Sequence, residues 1–228
     1  LKAAENLGSV LLVLLTTLQL QPYKCERICT RFSPEQFTME TEGLKGFASD
    51  LYKSLISETP GCSQNMFFSP ASIYAAFSIL LAGTAGKTEE EIEKALHVAH
   101  NKDKKKLHKA IANDLDRLTA GTAETKVCMA NKIFLDKDFP IKNPYLSLVS
   151  AFYAATPELL TFSDSETSRV HINQWVEGKT EKKIKELFPV DSIDHRTKMV
   201  IANAIYFKGL WTLPFEKSDT RDSQFTLL

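Results

Sequence analysis

Apolar residues recur along the chain at two spacings, and their order predicts the elements. Phe47, Leu51 and Leu55, flanked by Ala48 and Tyr52, step by four and mark one face of a helix that Thr59-Pro60-Gly61 ends. Asn65 to Pro70 is a short apolar run suited to a buried strand, and Ser69-Pro70 starts a helix. The serine oxygen can accept an orphan backbone N–H, and proline at the first helical position loses no hydrogen bond. Ala71 to Ala82 is apolar nearly all round, so this helix should be buried, with Gly83 placed to cap it. Thr88 and Glu91 form a capping box for a helix over Glu89 to His97. Leu107, Ile111, Leu115 and Leu118 define the next amphipathic helix. Lys126 to Phe139 reads as a strand, Asn143-Pro144 opens a helix to Tyr153, and Leu159 to Phe162 is a short strand. Glu166 to Leu187 is helical for much of its length, with Ile172, Trp175 and Val176 on one face. Lys198 to Trp211 carries apolar side chains on both parities, which suits the middle of a sheet covered on both faces. Helices and strands mix without strict alternation, so the class is α+β.

The ends read differently. Leu7 to Leu20 carries no charge and has Lys2 upstream. As a helix it would span only about 21 Å, short of a bilayer core of roughly 30 Å. It is either a signal-peptide core or a buried helix, and export is the expectation. Glu5 in the would-be basic region and the lack of an Ala-x-Ala site depart from the usual pattern. The chain divides into residues 1–21 as this segment, 22–40 as a polar extension, and 41–228 as a partial domain. Gln224 to Leu228 alternates like a strand stopped midway, and Leu1 is not methionine, so a partial sequence is expected.

Charge excludes more than it assigns. The 28 basic and 28 acidic residues balance, which argues against nucleic acid and anionic membrane partners. Four cysteines occur. Cys25 and Cys29 could pair locally or bridge to the core, whereas Cys62 and Cys128 read as small core residues. No histidine cluster joins the C-x3-C pair, so no zinc or other metal site is expected.

Candidate chemistry is sparse. Gly83 to Thr88 (GTAGKT) imitates a phosphate loop, but Leu81 stands where its first glycine belongs and Glu89, Glu90 and Glu91 follow, so no nucleotide is expected. No G-x-S-x-G elbow supports serine hydrolysis, and His97, His100 and His108 read as surface residues. Lys102, Lys104, Lys105, Lys106 and Lys109 form a basic cluster that is either a solvated helix face or a site for a sulfated polysaccharide. Asn203 is the odd residue of its apolar strand. A buried amide left unpaired costs about 1–3 kcal/mol, and Ser69 and Ser72 are its candidate partners.

Four ordered motifs then carry a resemblance: NMFFSPASI at 65–73, LLAGTAGKT at 80–88, INQWVEGKTEKKIKEL at 172–187 and ANAIYFKGLWTLPF at 202–215. Together they resemble the serpins over residues 41–228, roughly the first half of that family's pattern. The resemblance implies a multi-sheet α+β fold with about six helices here, in which Lys198–Trp211 is the third strand of the large sheet and Glu166–Gly178 the helix covering it. Ser69, Ser72 and Asn203 match the family's shutter, and Trp211 its breach. It implies a monomeric, non-enzymatic suicide inhibitor of serine or cysteine proteases, without cofactor, whose cleaved loop inserts beside the third strand of a metastable sheet. The alternative is a non-inhibitory carrier, chaperone or storage protein. The reactive bond would lie beyond Leu228. Without its other neighbour, the third strand should present an aggregation-prone edge.

Overall fold

The computed structural model describes residues 10–20, 39–57, 66, 68–122, 125–180, 182–211, 213–214 and 216–224. Cys25, Cys29 and Cys62 fall outside these, as does most of the strand expected over 65–70. Among the described residues of that stretch, Met66, Phe68 and Ser69 are not in a strand.

Six helices surround a mixed sheet. Strand β1 spans Val10–Leu20, followed by α1 (Met39–Ser57), α2 (Pro70–Leu81), α3 (Gly86–Ala95) and α4 (Lys104–Thr119). Then come β2 (Thr125–Asp136), α5 (Asn143–Tyr153), β3 (Thr156–Leu160), α6 (Ser165–Lys179) and β4 (Met199–Gly209). The sheet order is β1-β4-β2-β3. β4 runs antiparallel to β2, with Asn203 opposite Asn131, while β3 lies parallel to the second half of β2.

The two parities of β4 face two cores. Met199 and Ile201 join α1, α2, α4 and α5 in the larger cluster, with Tyr74, Ile79, Leu107, Ile111 and Ile133. Val200 and Ala202 face α6 with Phe134, Phe162, Ile172 and Phe188. A strand apolar on both parities is therefore sandwiched, as its sequence requires. The all-round apolar α2 is likewise buried over most of its length.

Several expectations need correction. β4 does not leave an open edge: Val10–Leu20 pairs with it in parallel, from Val10 opposite Met199 to Leu20 opposite Gly209. The segment has apolar residues on both parities, like β4, and an extended partner satisfies the ladder that a helix would leave unpaired. Helix α3 starts at Gly86 and ends at Ala95, so Thr88 lies inside it and no capping box forms. Gly86 has φ +62°, a left-handed value that glycine adopts without strain, and so the apparent phosphate loop is a helix entry. Gly83 does not adopt a left-handed cap. Thr84 Oγ1 donates to the Leu81 carbonyl at 2.9 Å instead. Gly83 answers to packing, since a Cβ there would come within 3.0 Å of the Tyr145 ring. Helix α6 stops at Lys179, β2 at Asp136, and Leu118 is exposed. Cys128 is exposed on the first half of β2, not in the core. His108 is fully buried rather than on the surface.

Candidate functional site

The site builds from the cap of α2. Ser69, extended at φ −113° and ψ 107°, accepts from the Ser72 backbone N–H at 3.3 Å, which fixes the first turn. That turn aims Ser72 across the core, where its hydroxyl donates to Asn203 Oδ1. Both residues are fully buried. Asn203 Nδ2 in turn donates to Asn131 Oδ1 at 2.6 Å, and Asn131 Nδ2 donates to the Tyr153 carbonyl at 3.0 Å. The Tyr153 hydroxyl lies 2.7 Å from His108 Nδ1. A polar chain thus runs from α2 through β4 and β2 to the backbone at the end of α5, and the Tyr153 side chain separately joins α5 to α4. Every link is neutral. Burial drives the His108 pKa down to about 4 and, together with the nearby Tyr74, pushes the Tyr153 phenol well above its usual range.

The structure thus joins Ser72 to Asn203 and gives Ser69 an indirect part, through the cap. Asn131 was not singled out from sequence, yet the signal is the one that exposed Asn203: an amide inside a strand that turns buried and apolar from Ile133. Tyr153 and His108 could not be found that way, because their meeting depends on the α4–α5 packing.

The other expected positions stand apart. Trp211 is half-buried, two residues past the end of β4. The basic cluster is partly neutralised. Lys104 pairs with Glu89 at 2.5 Å and Lys106 reaches Asp103 at 3.6 Å. Lys102, Lys105 and Lys109 are exposed and make no ion pair with a described residue.

On the opposite face of the sheet, α6 is anchored at its flanks. Arg169 holds Glu166 through two bonds of 2.7 Å and donates to the Phe188 carbonyl at 2.7 Å. The Asn173 side chain accepts from the Leu187 and Phe188 N–H groups and donates to the Phe188 carbonyl. Over β4 itself α6 places aliphatic contacts such as Val176 on Ala204.

The structure thus sets a buried amide of a central strand against a capped helix on one face, with α6 packed over the other. A profile of the Serpin (serine protease inhibitor) family matches residues 42–228. The chain belongs to the serpin family. It is 37% identical to human Serpin B9 over 182 residues, covering 79% of this chain and 47% of that protein. It is 35% identical to rat leukocyte elastase inhibitor A, with the same coverage. Among solved structures, emu ovalbumin superposes with a TM-score of 0.73 at 25% identity, covering 82% of this chain and 51% of that one. The chain therefore spans about half the length of the curated serpins it matches.

Proposed function

We propose that this serpin, in a protein carrying both halves of the fold, is a serine-type endopeptidase inhibitor of the suicide type. A cleaved loop would insert beside β4, at the edge that Val10–Leu20 occupies here, and carry the acyl-linked protease with it. The reading is supported chiefly by one observation: β4 is sandwiched between two apolar layers, yet its only buried polar side chain is tied to α2 and β2 by neutral hydrogen bonds. Such bonds can re-form around a displaced strand without stranding a charge. The name of the elastase inhibitor relative agrees with it. The test is incubation of a chain bearing both halves with elastase-, trypsin- and chymotrypsin-like proteases. A denaturant-stable complex of summed mass is expected. Cleavage without a complex would instead favour a carrier, chaperone or storage role. The 228-residue chain alone should trap no protease.

Export is part of this proposal, supported by the uncharged run from Leu7 to Leu20; its removal on export would take β1 from the sheet and free that edge of β4. Its check is the N-terminus of protein recovered from culture medium, where retention in the cell would count against it. Glycosaminoglycan binding through Lys102, Lys105 and Lys109 predicts salt elution from heparin that shifts when these become Ala. An unchanged elution would remove that partner.

A further inference from the structure

The α6 face of the sheet holds a cluster that the shutter does not use. Glu158, on β3, meets two basic side chains at once. Lys132 Nζ of β2 lies 2.9 Å from its Oε2, and His171 Nε2 of α6 lies 2.6 Å from its Oε1. The His171 ring also stands edge-to-face on the buried Phe134 of β2 at 6.1 Å, and Trp175, one turn on, meets the same ring at 5.9 Å. These two positions clasp Phe134 from one face of the helix.

The cluster sits at the outer strands, away from β4. Among the described residues no side-chain hydrogen bond joins α6 to β4, where contact is aliphatic. Polar restraint and apolar cover are therefore separated along the helix's width. We propose that His171 is a protonation-sensitive tether: mild acid holds α6 against β2 and β3, and mild alkali loosens it over β4.

The charges around the imidazole set the direction. Glu158 faces it from β3, Lys132 from β2, and Asp164 shares a shallow hollow with it at the start of α6, beside Leu159 and Thr161. The one that bonds the ring directly is Glu158. Burial raises the Glu158 pKa, but the bonds from Lys132 and His171 outweigh it, so its carboxyl is held below the usual range and stays ionised where histidine titrates. A neutral ring already donates to that carboxylate, and protonation converts the contact to a charge-assisted one of roughly twice the strength.

The consequence for inhibition rests on the loop-insertion reading, because insertion beside β4 requires α6 to shift. The tether itself does not, and its test uses the 228-residue chain alone. Amide hydrogen exchange is followed at pH 6 and pH 8, corrected for intrinsic rates. Protection of residues 165–179 should be about fivefold higher at pH 6. His171→Gln and Glu158→Gln should each reduce that difference to less than about twofold. Equal protection at the two pH values in the unsubstituted chain, a measurement that needs no variant to fold, would overturn the proposal. So would a fivefold difference that persists in His171→Gln. Absence of protease trapping by a chain carrying both halves, with the tether intact, would instead count against the inhibitor reading alone.

Discussion

The two faces of the sheet restrain their helices by different means. On the α2 face the restraint is a buried, neutral relay through Ser72, Asn203, Asn131 and Tyr153. On the α6 face the buried bonds of Arg169 and Asn173 are joined by a partly exposed ionic cluster on Glu158, with His171 44% exposed. A neutral relay in a dry core ignores salt, and pH down to where its histidine end would protonate in the unfolded chain, but is costly to break in part, because each orphaned group stays buried. An ionic cluster at a rim contributes little to stability and responds to both salt and pH. One face is built to stay, and the other to be adjusted.

The sharpest challenge to a neutral α2 face is acid. His108 Nε2 is buried without a partner among the described residues. The unfolded chain takes up a proton near pH 6.5 and the folded one only near 4, so stability present above 6.5 is lost as pH falls. Between pH 6.5 and 5 this amounts to about 2 kcal/mol. Urea unfolding across that window should show the loss, and His108→Phe should lack this component.

Next in size is the relay. Asn203→Ala should cost about 1–3 kcal/mol at pH 7 by stranding the Ser72 hydroxyl and the Asn131 carbonyl oxygen. Asn131→Ala should cost about 1 kcal/mol. The double variant should lose less than the sum, by at least about 0.5 kcal/mol, since the pair shares one bond. Strict additivity would mean that the relay is not a unit. The smallest effect belongs to the α6 face. Raising salt to 1 M should lower α6 protection while leaving α2 unchanged, and Glu158→Gln should cost under about 1 kcal/mol of global stability. Equal salt sensitivity of both helices would erase the contrast.

How much of this was legible beforehand depended on the range of each signal. The buried α2, the entry of α5 at Asn143-Pro144 and the two-sided β4 were legible, because local periodicity and capping chemistry settle them. Asn203 stood out against its own strand, and Ser72 lay one turn from a capped start. Asn131 carried the same signal less plainly, because the first half of β2 alternates exposed and half-buried positions. His108 was misread because one buried histidine on a lysine-rich helix looks like its neighbours until Tyr153 is brought up from a helix 45 residues on. The Lys132–Glu158–His171 cluster draws on three elements, and no local pattern announces such a meeting. Cys128 was misplaced because only the second half of β2 is buried, and the sequence pattern does not mark where that burial begins.

The pairing of β1 with β4 also imposes an order of events during synthesis. About 180 residues separate Leu20 from Met199. At 5–20 residues per second, roughly 10–35 s of translation elapse before β4 leaves the ribosome. Through that interval Val10–Leu20 has no sheet to join, and whatever binds nascent apolar segments meets it first. Its fate as a strand is decided by a race in which the rest of the protein starts late.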